Sequence, residues 1–373
     1  MTFEDLLKCI KQQYDSNSPF VVYRKPNKTI VNALLQNNDK LYTTEDLTES
    51  GFVFSPFDDK EETVLIPIDN SESVSASNVV MPSAVETSRI DNLLNLSDKQ
   101  QHIALVNKGV EAITDGLFKK VVLSRKEDVQ ITESNPIAIF KSLLQHYASA
   151  FVYCWYHPKV GLWLGATPET LVKIEGRRFS MMALAGTQNY IGTLDVVWQD
   201  KEKQEQQFVT DFIVEKLRPS VDAVKVSNTD TVKAGNLLHL KTMISASLKK
   251  DSKLKDIIAA LHPTPAVCGL PKVAAKAFIL KNEGYNRAFY TGFLGELNIE
   301  TRVAPRAGKR NIENRAYTIN RKSTQLYVNL RCMQLQNNTG TIYVGGGITK
   351  TSNPESEWEE TVSKSLVIKS ILQ

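Results

Sequence analysis

Carboxylates at helical spacing are the first residues in this chain that could do chemistry. Glu202 and Glu205 stand three apart and so fall on one helical face. Glu205 also precedes Phe208, Val209 and Phe212 at helical spacing, which places its carboxylate on the stripe expected to face the core. Glu357 and Glu360 repeat the arrangement near the C-terminus, where Glu360 heads a stripe continued by Lys364, Val367 and Ile371. A carboxylate on a buried face is costly unless it is paired or holds a cation. Two of them from different helices could hold one Mg²⁺, with waters and substrate oxygens completing the octahedron. The same spacing also suits a solvated acidic patch, because both segments are rich in Glu and Lys. Gly345-Gly346-Gly347 follows a strand-like run, and consecutive glycines either let backbone N–H groups approach an anion or let a strand end bend. Arg331, read as part of an alternating strand, shares a face with Asn329 while Leu330 and Cys332 point the other way. A guanidinium there is shaped for bidentate carboxylate recognition, although most such faces are solvated.

These residues need elements to position them. Leu6, Leu7 and Ile10 give an N-terminal helix its apolar stripe, and Ile103, Val106, Val110 and Ile113 give another. Past Gly116 hairpins dominate. Phe151 to Trp155 and Leu162 to Leu164 flank the His157-Pro158-Lys159 turn, and Leu171 to Ile174 and Phe179 to Leu184 flank Glu175-Gly176. Leu326 to Leu335 alternates, turns at Asn337-Asn338-Thr339-Gly340 and returns through Ile342 and Val344. Asn353-Pro354 supplies an N-cap and a first-turn proline for the last helix. Strands joined by short turns, with helices interspersed and no strict β-α alternation, give an α+β class: a single large domain of antiparallel β-sheets flanked by helices. Residues 1–98 are read as an N-terminal helix and strand part of that same fold, with a loop or linker near 69–87. Residues 99–373 are read as the catalytic core.

Composition narrows the functional classes. The net charge of +4 is too small to mark a nucleic-acid binder. Cys9, Cys154, Cys268 and Cys332 lie far apart without a CxxC pair, which excludes a zinc ribbon and argues against a disulfide framework. The histidines form no HExxH, no strand is followed by GxGxxG, and no apolar run is long enough to span a bilayer. The expected setting is cytoplasmic, with no nucleic-acid or membrane partner.

From Asp115 onward the sequence resembles the chorismate-utilising enzymes, the isochorismate, salicylate, anthranilate and aminodeoxychorismate synthases. The resemblance lies in eight blocks in the family's order. They are Lys120-Val-Val-Leu-Ser-Arg125, Leu164-Gly-Ala-Thr-Pro-Glu169, Ala183-Leu-Ala-Gly-Thr187 and Asp200-Lys-Glu-Lys-Gln-Glu205, then Leu261-His-Pro-Thr-Pro-Ala266, Asn329-Leu-Arg331, Gly345-Gly-Gly-Ile348 and Glu357-Trp-Glu-Glu-Thr361. The resemblance implies the fold of anthranilate synthase component I, a chorismate substrate and a Mg²⁺ cofactor. It casts Glu205 and Glu360 as direct metal ligands, with Glu202 and Glu357 acting mostly through metal-bound water. Arg331, Tyr290, Gly345 and Lys364 match positions around the substrate's carboxylates. Gly186 and Thr187 match a loop beside the ring and its C4 oxygen, and His239 matches a histidine near the ring carboxylate.

Two positions choose within the family. Lys120 stands where the isochorismate and salicylate enzymes carry the lysine that activates water, and Ala185 stands where aminodeoxychorismate synthases carry a nucleophilic lysine. Water is then the expected nucleophile at C2, with Lys120 as general base and Glu169 as the general acid that protonates the departing C4 hydroxyl. Such a pair requires a lowered base and a raised acid. The reaction implied is isomerisation of chorismate to isochorismate; the alternative is a salicylate synthase, which goes on to eliminate pyruvate. No glutamine amidotransferase subunit is expected, and the chain is read as a monomer or weak homodimer. The motifs do not choose between menaquinone and siderophore supply. Gln206 follows Glu205 where many relatives have histidine, and Val303 to Ala316, with Arg306, Lys309, Arg310 and Arg315, reads as an added basic loop.

Overall fold

The computed structural model describes residues 1–78, 96–131, 135–234, 237–303 and 319–372. Helix α1 (Phe3–Asp15) leads into strands β1 (Phe20–Arg24), β2 (Ile30–Gln36), β3 (Tyr42–Thr44), β4 (Gly51–Ser55), β5 (Thr63–Pro67) and β6 (Ser71–Ser77). There follow α2 (Leu96–Thr114), β7 (Lys120–Gln130), α3 (Pro136–His146), β8 (Phe151–His157), β9 (Gly161–Thr167), β10 (Thr170–Glu175) and β11 (Arg178–Asn189). The chain continues through α4 (Asp200–Leu217), β12 (Val221–Ala234), β13 (Leu237–Leu248), α5 (Leu254–Leu261), β14 (Gly269–Leu270) and α6 (Lys272–Asn282). It ends with β15 (Phe293–Val303), β16 (Ile319–Val328), β17 (Cys332–Gln336), β18 (Thr339–Ile348) and α7 (Pro354–Leu372).

Two nine-stranded sheets result, ordered β14-β7-β18-β17-β9-β8-β1-β2-β6 and β12-β13-β11-β10-β16-β15-β4-β5-β3, with every pairing antiparallel. Period-two alternation decides what each strand gives to each layer. On β8, Phe151, Tyr153 and Trp155 join Phe52, Phe54, Leu294 and Tyr327 of the second sheet in a core between the sheets. Val152 and Cys154 of the same strand turn outward, beneath Leu6 and Ile10 of α1, Phe140 and Leu143 of α3 and Ile371 of α7. The outer face of the second sheet is covered by Val209, Phe212 and Ile213 of α4 and Ile257 and Ile258 of α5. The architecture is therefore helices, sheet, sheet, helices, in the α+β class expected from the hairpin pattern.

Three expectations change. The segment read as a linker near 69–87 is ordered in its first part, because Ser71–Ser77 pairs with β2 as an edge strand; small polar residues suit an edge with one face in water, so composition misleads there. Residues 79–87 lie outside the described residues, as do 304–316 of the basic loop. Leu326 to Leu335 is not one strand. It breaks at Asn329-Leu330-Arg331, where the chain leaves β16 in one sheet and enters β17 in the other. Arg331 takes a left-handed backbone (φ 48°) at that crossing, so the strand-face reading of Asn329 and Arg331 fails.

Candidate active site

A cavity of about 110 Å³ opens where the two sheets part. Val122 of β7 and Tyr343 to Gly347 of β18 line one side, Leu184 to Thr187 of β11 and His239 of β13 the other. Glu205 of α4 and Glu360 and Lys364 of α7 close it, with Glu169 and Arg331 entering from connections between strands.

Lys120 is fully buried at the start of β7, and its Nζ lies 2.7 Å from Glu205 Oε1. Burial pushes the Glu205 carboxyl up, but Lys120, Lys364 and Lys201 together outweigh it and hold the group below the ordinary range. Glu360 pairs with Lys364 at 2.7 Å, and Lys364 also donates to the Gly345 carbonyl at 2.8 Å. Glu357 is buried and accepts from Lys201 Nζ at 2.7 Å. Burial and the neighbouring Glu360 raise its pKa, which Lys201 partly offsets. Each of the three acids thus has its own lysine.

The glycines of β18 explain how these groups come close. They sit within a ladder paired to β7, Gly345 to Ser124, Gly346 to Leu123 and Gly347 to Val122, so they are neither a strand-end bend nor a free anion nest. Their use is the absent side chain. A Cβ on Gly347 would lie 2.4 Å from Glu205 Oε1 and 3.0 Å from Lys120 Cε; one on Gly346 would lie 3.4 Å from Glu357 Oε2 and 3.7 Å from Glu360 Oε1. Bare backbone lets acids from α4 and α7 approach opposite faces of one strand.

Among the described residues no three His, Cys, Asp or Glu side chains form a ready-made metal cage. The donors nevertheless suit Mg²⁺, which takes one or two carboxylates and keeps waters or substrate oxygens in its remaining positions. Glu205 and Glu360 present carboxylate oxygens at the cavity wall. Glu357 Oε2, buried without a hydrogen-bond partner, is a donor with spare capacity behind them. Glu202 is placed differently from the expectation. Its carboxylate turns back to accept the Gln199 backbone N–H at 2.9 Å, capping α4, and it does not line the cavity.

Glu169 sits just past β9 with only 3% of its surface exposed. Burial raises its carboxyl to about 8, against a smaller opposing pull from Lys120. It is therefore held largely protonated at neutral pH, the form a general acid needs.

Arg331, His239 and Gly186 form a chain across the cavity. Arg331 Nη2 lies 3.0 Å from His239 Nε2, and His239 Nδ1 lies 2.9 Å from the Gly186 carbonyl. Burial and the neighbouring guanidinium hold the imidazole down at about 3, so the ring is neutral; these partners assign the proton to Nδ1, leaving Nε2 to accept from Arg331. Burial also lowers the guanidinium to about 10. Gly186 (φ 70°) and Thr187 form the irregularity in the β11–β13 ladder between Ala185 and Gln188, which turns the loop toward the cavity. Tyr290, 3% exposed, stacks on Tyr343 at 5.5 Å between centroids.

The structure thus brings together Lys120, Glu169, Gly186, Thr187, Glu205, His239, Tyr290, Arg331, Gly345, Glu360 and Lys364, with Glu357 behind β18 and Glu202 turned away. Sequence reading missed Lys201, whose spacing within a charged helix marks nothing, and the buried pair of Arg287 with Glu283. Arg287 donates to the Val122 carbonyl at 2.7 Å, and Glu283 accepts from Ser124 N at 2.7 Å, so this pair braces β7. Gln206, at the position where a histidine was noted as common, donates to the Ala183 carbonyl at 3.1 Å and to Thr242 Oγ1 at 2.9 Å, tying α4 to β11 and β13.

The sequence matches the chorismate binding enzyme family over residues 22–310 and, in a second match, over 316–370. It is 28% identical over 279 residues to an isochorismate synthase of Bacillus subtilis, covering 69% of this chain and 64% of the relative. A Pasteurella multocida isochorismate synthase is 27% identical over 289 residues, covering 74% of this chain and 62% of the relative. The matched region thus spans a little under two thirds of each relative's length. A Bacillus anthracis structure described as a 2,3-dihydroxybenzoate-specific isochorismate synthase superposes with a TM-score of 0.76 at 22% identity, covering 96% of this chain and 98% of that one. At that identity the superposition speaks for the fold alone.

Proposed function

The chain belongs to the chorismate-binding enzyme family, and from that premise we propose that it isomerises chorismate to isochorismate with Mg²⁺ as cofactor. The observation that carries the proposal is Glu169, a carboxyl at the cavity wall held protonated by burial and within electrostatic reach of fully buried Lys120, which sits behind Glu205. Acid and base of this kind suit a reaction that needs one proton removed and one delivered.

In this reading Lys120 Nζ takes a proton from the water that attacks C2. As the C2–O bond forms, the ring double bonds shift and the C4–O bond breaks, with Glu169 protonating the departing hydroxyl as water. One water enters and one leaves, so the reaction is an isomerisation. Glu169 ends ionised and Lys120 protonated, and proton exchange with solvent restores both. Arg331, its orientation fixed by neutral His239, accepts a substrate carboxylate, with Tyr290, Lys364 and the Gly345 backbone beside it. Gly186 and Thr187 border the ring near the C4 oxygen. Mg²⁺ held by Glu205 and Glu360, with Glu357 in support, would supply positive charge for the ring carboxylate and draw Glu205 away from Lys120. Ala185 offers no nucleophile at the cavity wall, which supports water in that role.

Incubating the isolated chain with chorismate and Mg²⁺ in H₂¹⁸O tests this. The expected product is isochorismate with the label on the C2 hydroxyl, formed without an amidotransferase subunit. Salicylate and pyruvate as the products would replace this reading with that of a salicylate synthase, and ammonia-dependent amination would replace it with that of an aminating enzyme.

A further inference from the structure

Strand β7 carries two kinds of side chain on its two faces. Val122 lines the cavity, and Lys120, of the same parity, reaches Glu205 at its wall. Arg125, five residues on and so of opposite parity, faces α2 and α7. It is 8% exposed, and its guanidinium has several partners there. Nε donates to Thr361 Oγ1 at 2.8 Å, the guanidinium carbon lies 4.4 Å from the centre of the Trp358 ring, and Nη1 pairs with Glu127 Oε2 at 2.9 Å. Glu127, two residues along β7, in turn pairs with Lys369. Trp358 also meets His102 of α2 at 5.9 Å between ring centroids. The gripped residues of α7 are Trp358, Thr361 and Lys369, interleaved with Glu357, Glu360 and Lys364, which the candidate site uses. Arg125, Trp358 and Thr361 all lie in the sequence blocks noted above, and the reaction gives none of them a role.

We propose that Arg125 is a positioning residue that fixes the rotation and register of α7 against β7. Resting on the functional reading above, its task is to keep Glu357 and Glu360 opposite the bare backbone of Gly346 while Lys120 and Glu205 stay on the far face, against Gly347. A helix held only by its apolar face can slip by part of a turn; a planar donor that stacks on one residue and hydrogen-bonds another three along cannot be satisfied in two registers. Lysine at 125 would keep the pairing with Glu127 but would lose the stack and the directed bond to Thr361.

The test compares Arg125→Met, Arg125→Lys and Thr361→Val with the wild type. Hydrogen–deuterium exchange is read peptide by peptide, and kcat, chorismate KM and the half-saturating Mg²⁺ concentration are read from turnover. For Arg125→Met, exchange is expected to rise within α7 while β1 and β8 keep their protection. The half-saturating Mg²⁺ concentration should climb, and kcat should fall on the order of 10²-fold, the cost of an ångström-scale misplacement. Chorismate KM at saturating Mg²⁺ should change much less than kcat, because Arg331 and His239 lie off α7 and, of the residues beside the substrate carboxylates, only Lys364 moves with it. Arg125→Lys should recover part of the loss, and Thr361→Val, which cannot unfold the protein through an unpaired buried charge, should show the same pattern more weakly. A folded Arg125→Met with wild-type kcat and Mg²⁺ requirement would overturn the proposal. So would exchange that rises uniformly while the rate loss matches only the unfolded fraction. The exchange measurement needs no turnover, so a wild-type protein that leaves chorismate unchanged would sink the functional reading and leave the clamp to be judged by α7 alone.

Discussion

Replacing Glu169 with glutamine should make the protein more stable and nearly inactive, and the stability gain should depend on pH. Burial raises the folded-state carboxyl from 4.5 to about 8. Between those two values the unfolded chain is ionised while the native state keeps its proton, so the native state binds more protons and loses stability as pH rises. Below 4.5 both states are protonated and the effect is absent; above about 8 both are ionised and it is complete. Each pH unit in the window costs about 1.4 kcal/mol, so at pH 7 the wild type gives up about 3 kcal/mol for keeping a carboxyl there. Glutamine has the same shape and no titration. Urea unfolding at pH 5 and pH 8 should therefore show Glu169→Gln gaining on the wild type by roughly 3 to 4 kcal/mol between the two. Over the same range its turnover of chorismate should fall by about 10² to 10⁴-fold, and the wild-type rate should decline as pH passes through about 8. A stability difference that stays constant with pH would refute the burial argument, and wild-type turnover in the variant would refute the acid assignment.

Gly347→Ala should leave the fold intact but push Glu205 and Lys120 apart, since the new Cβ would lie 2.4 Å from Glu205 Oε1; a rise in the half-saturating Mg²⁺ concentration with an unchanged circular dichroism spectrum would bear this out. His239→Leu removes the acceptor for Arg331 and the donor to Gly186, so chorismate KM should rise by about 10 to 100-fold, the cost of roughly 1–3 kcal/mol for groups left unpaired. The rate profile of the wild type should show no inflection from His239 near pH 6 to 7, because that ring stays neutral down to about 3. Gln206→Leu strips the Ala183 carbonyl and Thr242 hydroxyl of a donor and should cost about 1–3 kcal/mol of stability in urea unfolding, while Gln206→His should retain most of it.

The sequence foretold most where one physical rule governed a segment. Alternation placed the β8–β9 and β10–β11 hairpins, and helical spacing put Glu205 and Glu360 on faces that reach the cavity. It failed where two rules competed. Asn329-Leu330-Arg331 continues an alternating pattern, yet the chain changes sheets there, and period-two spacing is blind to a crossover between layers. Glu202 has the spacing of a cavity residue, but a carboxylate in a helix's first turn has an unsatisfied backbone N–H within reach, and that local bond wins. The glycines of β18 were legible as glycines; that they make room for carboxylates from two helices required knowing which helices lay on each face. Lys201 could not have been singled out, because a lysine in a charged helix looks solvated until α7 is packed against it.

The pairing of Lys120 with Glu205, Lys201 with Glu357 and Lys364 with Glu360, each at 2.7 Å, also determines which substitutions report on chemistry. A buried ion pair adds little net stability, because desolvating two charges consumes most of the attraction gained. Removing one partner is another matter: the charge left behind is buried and uncompensated, typically at a cost of about 3–5 kcal/mol. Lys120 is fully buried and Glu357 is 2% exposed, so truncating either would alter the fold's stability together with any catalytic or metal-binding role. Lys364 and Glu360 are 20% and 27% exposed in their side chains, and water can take up part of the stranded charge there. Glu169 stands outside this scheme, because it has no ion-pair partner among the described residues and burial keeps it neutral. Of the ionisable residues read as acting on the ring, it is the one whose charge can be abolished without orphaning another. For that reason a loss of turnover in Glu169→Gln, accompanied by a gain in stability, would separate the chemistry of the site from its architecture.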